Sequence, residues 1–153
     1  MAEEPGGAAR RAAVLCAALA LLGASCGSAG RERESVAADG GIVRLDLRPI
    51  APATGSLFSY RSAAGGRVSF IVYRESGGEP RAVLGACADC YRWRKGYRLE
   101  GDGVVCLRCG LRFRFDELGD GVGACTPIPL PAARADDRLE ISVEALEAAS
   151  RYF

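Results

Sequence analysis

Five cysteines in the second half of the chain have the spacing of a metal site. Cys87 and Cys90 form one Cys-x-x-Cys pair, Cys106 and Cys109 form a second, and fifteen residues separate the pairs. Cys125 follows after another fifteen residues. A Cys-x-x-Cys turn directs two sulfurs toward one centre, and two such turns supply the four thiolates of a tetrahedral zinc or iron site. We therefore predict a four-cysteine metal site with Cys125 close to it.

The rest of the composition restricts the chemistry to these thiols. The chain contains no histidine, which excludes Ser-His-Asp catalysis and mixed Cys/His metal sites. The net charge is only +1, so the sequence gives no reason to expect nucleic acid or another polyanion as the main partner.

Two other uses of the cysteines are less favoured. An exported protein could keep them as structural disulfides, but Cys-x-x-Cys pairs close strained, redox-labile loops, and an odd number leaves one thiol unpaired. A thioredoxin-like thiol–disulfide oxidoreductase would place its pair next to a βαβ unit, and no such pattern surrounds either pair.

The residues around the pairs fit a folded hairpin. The glycine-rich segment between them is expected to turn at Glu100 to Gly103. Gly110 directly follows Cys109, where a metal-binding turn needs room and often a positive φ. Seven cations crowd the region: Arg92, Arg94, Lys95, Arg98, Arg108, Arg112 and Arg114. They could stabilise thiolates and lower the cysteine pKa values, or they could simply form a solvated strand face.

The elements that must position this region are mostly strands. Residues 42–47, 57–60 and 67–73 alternate as half-buried strands do. A short strand is expected at 139–143, and apolar residues at helical spacing predict a helix over 143–153. The expected fold is α+β and mainly β: a small β-rich domain with a zinc-ribbon-like four-cysteine hairpin region and one C-terminal helix.

The N-terminal residues 1–26 have the pattern of an export signal. An arginine pair precedes an uncharged run at 12–24, which is shorter than the ~20 residues of a membrane span. Small residues and Cys26 follow, so we expect a lipid anchor at Cys26, with an uncleaved N-terminal membrane anchor as the alternative. Cys16 is interpreted as a small hydrophobic residue of the apolar run.

The composition then divides the chain into an anchor, a tether and one domain. Residues 27–41 are rich in Gly, Ala and Ser with alternating Arg and Glu, which predicts a flexible tether. Residues 42–153 are expected to form the metal-binding or iron–sulfur domain. Within it, the proline-rich segment 127–137 is expected to be a loop.

Several motifs resemble the FtrD-like family of bacterial membrane iron–sulfur proteins. Its members show A-C-x-x-C-Y, then K-G-Y, G-D, C-x-x-C-G, an aromatic residue, G-C-N-P-x-P-L and a terminal Tyr-Phe pair. The matching residues here are Ala86, Cys87, Cys90, Tyr91, Lys95, Gly96, Tyr97, Gly101, Asp102, Cys106, Cys109, Gly110, Phe113, Cys125, Pro127, Pro129, Leu130, Tyr152 and Phe153. Ala124 and Thr126 depart from the usual glycine and asparagine. The likeness runs from about Ile42 to Phe153.

The resemblance implies a function that spacing alone cannot give. It implies an iron or iron–sulfur cofactor and membrane association, and some members accompany ferrous iron uptake systems as an electron-transfer component. We therefore expect an electron carrier rather than a stand-alone enzyme, on the extracytoplasmic face of a bacterial membrane, with membrane redox or iron-permease proteins as partners. The alternative is a zinc-stabilised, ribbon-like binding module for a protein partner.

Overall fold

The computed structural model describes residues 33–118 and 123–153, which form a mainly β fold with one C-terminal helix, as the sequence predicts. The strands are β1 (Glu34–Val36), β2 (Ile42–Asp46), β3 (Gly55–Arg61), β4 (Arg67–Arg74), β5 (Pro80–Cys87), β6 (Tyr97–Glu100), β7 (Gly103–Cys106), β8 (Arg112–Arg114), β9 (Pro127–Pro129), β10 (Ala133–Ala135) and β11 (Arg138–Ser142). The helix is α1 (Val143–Ala149), and single 3-10 turns are formed by Tyr91–Trp93, Phe115–Glu117 and Ser150–Tyr152. The predicted export signal and anchor lie outside the described residues.

The central sheet has five strands in the order β1-β3-β4-β5-β9. Strand β4 is buried on both faces, because Phe70 and Val72 belong to one core while Ile71 and Tyr73 belong to another. The sequence predicts a half-buried strand here. That prediction was wrong: six consecutive residues of β4 are buried. The run RVSFIVYR is apolar at most positions, which is typical of strands that are covered on both faces.

A second sheet and the helix cover one face of the central sheet. This sheet has the order β10-β11-β2, and it pairs Leu139 with Leu45 in the first core. Helix α1 begins at Ser142, whose hydroxyl accepts the N–H of Ala145. It ends sooner than the predicted 143–153 helix, because the Ser150 hydroxyl donates to the Glu147 carbonyl and the chain continues as a 3-10 turn.

The cysteine-bearing hairpin covers the other face. Strands β6, β7 and β8 form a three-stranded antiparallel sheet, and the hairpin turns between Glu100 and Gly103 as predicted. A Cβ atom at Gly103 would lie 2.0 Å from the Phe113 carbonyl oxygen, so only glycine allows β8 to approach β7 this closely.

Two predicted irregular segments contain short strands. Strand β1 lies inside the predicted tether and pairs in parallel with β3, from Glu34 opposite Phe58 to Val36 opposite Tyr60. Strands β9 and β10 lie inside the predicted 127–137 loop, where β9 adds an edge to the central sheet beside β5. Edge strands of three residues carry too little alternation for a sequence pattern to predict them.

Candidate metal centre

Three segments of the chain bring the five cysteines of the domain together. Cys87 is the last residue of β5 and Cys106 is the last residue of β7. Cys90 and Cys109 lie in the turns that follow these strands, and Cys125 lies in the turn before β9. Because the hairpin sheet packs on the central sheet, the two strand ends and the turn before β9 meet at one point.

The sulfur atoms fall into two overlapping groups. The Sγ atoms of Cys87, Cys90 and Cys125 lie within 4.8 Å of one another, and so do those of Cys90, Cys106 and Cys109. Sulfurs around one tetrahedral ion are about 3.8 Å apart, given metal–sulfur bonds of about 2.3 Å. The five free thiols are therefore spaced as metal ligands can be, and Cys90 belongs to both groups.

The predicted ligands are consequently divided between the groups. The Sγ atoms of the two Cys-x-x-Cys pairs do not all belong to one group of atoms within 4.8 Å of one another. Cys87 belongs to the group that contains Cys90 and Cys125. The Sγ atom of Cys125 lies 3.3 Å from that of Cys90, which agrees with the expectation that Cys125 lies close to the site. Which of the five thiols hold a metal stays a prediction.

Backbone amides in both turns point toward the thiols. The N–H of Cys90 donates to Cys87 Sγ over 3.1 Å. In the second turn, the N–H of Leu111 bonds to Cys109, and Gly110 has the predicted positive φ, 76°. Such N–H groups stabilise negative sulfur, so both turns are suited to hold thiolates.

Two further residues position Cys125. Asp89, inside the first Cys-x-x-Cys turn, accepts the backbone N–H of Cys125 over 2.8 Å. Tyr97, at the start of β6, donates its hydroxyl to the Cys125 carbonyl oxygen. The sequence analysis did not assign Asp89 a role; an aspartate between two predicted ligands, able to accept a backbone N–H, was the signal available.

Burial and neighbouring thiols shift the cysteine pKa values. Hydrogen bonds with Cys90 and Cys109, together with desolvation, raise the pKa of Cys125. The contact with Cys125 lowers the pKa of Cys90, but desolvation and the adjacent thiols outweigh it and raise that pKa to about 11. The N–H of Leu111 is the main cause that lowers the pKa of Cys109, so Cys109 ionises more readily than Cys90 or Cys125.

For three of the seven cations, the ion pairs favour the second of the two roles that the sequence left open, a solvated strand face. Arg98, Arg112 and Arg114 form ion pairs with Glu100 and Asp102 on the exposed side of the hairpin sheet. The main causes that shift the pKa values of Cys90, Cys109 and Cys125 are hydrogen bonds, burial and other thiols. Because these three arginines are paired with acidic residues of the same hairpin, they form part of a solvated strand face.

Fold and site together define a small β domain whose clustered thiols can bind a metal. The chain belongs to the FtrD-like family: the family described as membrane iron-sulfur containing protein FtrD-like matches residues 53–153, which include all five clustered cysteines. The family description points to membrane association and an iron–sulfur centre. Comparisons with curated proteins and with solved structures gave no match. Among residues 33–118 and 123–153, no helix is long and apolar enough to cross a membrane.

Proposed function

We propose that this protein is a membrane-tethered, extracytoplasmic electron carrier that uses an iron or iron–sulfur centre in ferrous iron uptake or a related redox chain. The observation that carries the proposal is the convergence of five thiols in a member of this family. The donor set fits, because thiolates are the ligands that single iron ions and iron–sulfur clusters take from proteins.

The proposed ligands are Cys87, Cys90, Cys106 and Cys109, with Cys125 as a fifth thiol in contact with the centre. When bound, an iron centre supplies one-electron redox chemistry. The chain contributes the N–H groups of Cys90 and Leu111, which stabilise negative charge on sulfur.

Burial divides the site into an inner and an outer side. Cys87 and Cys106 are 1% and 2% exposed, so the surrounding protein shields these two residues from water. Cys109 is exposed, which gives a redox partner an approach from solvent. Hydrogen bonds to sulfur and solvent exposure both tune the potential of such centres.

The proposed location and partners rest on the N-terminal pattern and on the family. An acylated Cys26, or an uncleaved N-terminal anchor, would hold the domain at the membrane. Membrane redox proteins or an iron permease would then be the exchange partners. Of the predicted tether, residues 27–41, only the part before β1 would give the domain freedom to reach them, because Glu34–Val36 pair with β3 in the central sheet.

Metal analysis of the full chain tests this function. We expect anaerobically purified protein to be coloured and to contain iron, with sulfide if the centre is a cluster. Cys106→Ser should lose most of the iron and the colour. Colourless protein with stoichiometric zinc would instead support the zinc-stabilised binding module.

A further inference from the structure

A cavity of about 330 Å³ opens beside the cysteine cluster. Cys87, Cys90 and Cys106 form part of its wall. Small-molecule sites span roughly 300 to 1,000 Å³, so this cavity is large enough for an organic molecule of about one ring. A molecule bound there would lie against the residues that carry the thiols.

Four cations line the cavity: Arg33, Arg67, Arg94 and Lys95. No ion pair within residues 33–118 and 123–153 involves any of them, and no aspartate or glutamate is among the described residues that line the cavity. The hairpin arginines, in contrast, are paired with acidic neighbours. Apart from the thiols, no acidic side chain among the described lining residues balances these four positive charges, and a bound anion would reduce their mutual repulsion.

Aromatic side chains form another part of the wall. Tyr91 and Tyr152 pack edge to face with ring centroids 5.4 Å apart, and Phe153 lies beside Tyr152 in the chain. All three residues are only partly buried, and the Arg151 guanidinium lies over the Tyr152 ring, 4.9 Å from its centroid. An apolar, aromatic wall next to unpaired cations matches a ligand that has both a ring and a negative group.

The backbone at Arg94 and Gly96 shapes one side of the cavity. Arg94 adopts the left-handed conformation, with φ 50°, and its N–H donates to the Tyr91 carbonyl over 2.8 Å. A Cβ atom at Gly96 would lie 3.0 Å from the Gly85 carbonyl oxygen and 3.6 Å from Arg33 Nη2. The left-handed conformation of Arg94 is uncommon and strained for a non-glycine residue. Arg94 is one of the four cations that line the cavity.

We propose that this cavity binds an organic anion with an aromatic ring and a carboxylate or phosphate group, immediately beside the thiol cluster. The cations contact the anionic group, and the ring packs against Tyr91, Tyr152 and Phe153. The proposal goes beyond electron transfer and does not depend on which metal the thiols hold. The competing explanation is that the four cations only neutralise the thiolates.

Calorimetric titration of the purified, metal-containing full chain tests this binding site. The probes are benzoate and phenyl phosphate, compared with benzyl alcohol, which lacks the charge, and inorganic phosphate, which lacks the ring. We expect at least one aromatic anion to bind about tenfold or more tightly than both comparison probes, because it alone makes both kinds of contact. The tighter of the two aromatic anions identifies the preferred anionic group.

Charge-removing variants locate the site. Arg67→Gln and Lys95→Gln should each weaken binding of the preferred anion about tenfold, and Arg67→Lys should restore part of it. Arg138→Gln is the matched control, since it removes an exposed arginine from β11, away from the cavity lining, and should leave binding unchanged. Circular dichroism confirms that each variant is folded.

Three results would overturn the proposal. The first is equal binding of benzyl alcohol or of inorganic phosphate, or no binding of either aromatic anion. The second is an equal loss of binding in Arg138→Gln. The third is a change in the metal content or metal spectrum of Arg67→Gln and Lys95→Gln with no change in anion binding, which would assign the cations to the thiolates. The titration applies whether the metal is iron or zinc, so it is independent of the electron-carrier function.

Discussion

The carboxylate of Asp89 accepts a hydrogen bond from the backbone N–H of Cys125, with 2.8 Å between Oδ2 and N. This bond ties the first Cys-x-x-Cys turn to a residue 36 positions later in the chain. Cys125 has a φ of 60°, a left-handed conformation that costs a non-glycine residue about 1 kcal/mol or more. Asp89 therefore helps to hold the fifth thiol against Cys90 in a strained backbone.

Asp89→Ala should release Cys125 from the cluster. The variant loses the acceptor of a partly buried N–H, so we expect a loss of about 1 kcal/mol in the free energy of unfolding. In reduced, metal-free protein, Cys125 should also react faster with a thiol reagent, measured by mass spectrometry of the labelled peptide. Asp89→Asn keeps an acceptor oxygen and should retain most of the protection. Unchanged labelling in Asp89→Ala would show that other contacts hold Cys125.

Cys125→Ala should change redox behaviour more than stability. Alanine at this position carries the same left-handed strain as cysteine, so the substitution removes a thiol 3.3 Å from Cys90 Sγ without adding backbone strain. We expect the midpoint potential of the centre to shift by about 60 mV, equivalent to a tenfold change in the relative binding of its two oxidation states. The unfolding free energy should change by about 1 kcal/mol. A lower melting temperature with an unchanged potential would make Cys125 a packing residue only.

Cys106→Ser should disorder the site but not the whole domain. Metal binding contributes on the order of 10 kcal/mol to the folding of isolated zinc-finger peptides, so loss of a ligand should destabilise residues 87–125. The first core, which contains β2 and the helix, lies on the other face of the central sheet and should remain partly formed. Hydrogen exchange measures both regions at once. Undiminished protection around the two pairs would mean that the metal does not hold them.

Tyr73→Phe should stabilise the protein. Tyr73 is fully buried in the same core as Cys87 and Cys106, and its ring stacks on that of Phe115 with centroids 5.0 Å apart. Its hydroxyl has no hydrogen-bond partner among the described residues. Removing an unsatisfied hydroxyl should raise the unfolding free energy by about 1 kcal/mol at neutral pH. Tyr60→Phe is the control: its hydroxyl donates to Glu147 over 3.0 Å, so that variant should be less stable.

The alkaline pH dependence gives a second test of Tyr73. Desolvation raises the pKa of Tyr73 to about 12, above the ordinary value of about 10. Between these two values the folded state retains the Tyr73 proton that the unfolded state loses. The contribution of this hydroxyl to the free energy of unfolding is therefore present below about pH 10 and is lost as the pH rises toward 12. Tyr73→Phe should show a shallower loss of stability over this range in chemical denaturation. An identical slope in both proteins would contradict the assigned burial of the hydroxyl.

The sequence carries much of the information about the site because its constraints are local. The Cys-x-x-Cys turns, the positive φ of Gly110 and the hairpin turn at Glu100 to Gly103 each depend on a few adjacent residues. These features could be predicted because turn geometry selects residue types directly. The mainly β character followed in the same way from alternating apolar residues.

Apart from the meeting of the cysteines, contacts between distant segments could not be predicted. The bond from Cys125 to Asp89 spans 36 residues, and the cavity combines Arg33, Arg67 and Arg94 from three separate segments of the chain. Their meeting depends on which strands pair and on how the hairpin packs, and neither leaves a local pattern in the chain. Strand β1 is a further example, since its three residues acquire structure only by pairing with β3.

A potentiometric titration of the anaerobically purified full chain, followed by visible and electron paramagnetic resonance spectroscopy, tests the central claim most directly. The account predicts an iron-based signal that appears and disappears reversibly with one electron per centre, and that Cys106→Ser abolishes. Protein that contains stoichiometric zinc and shows no reversible redox transition would contradict the electron-carrier function.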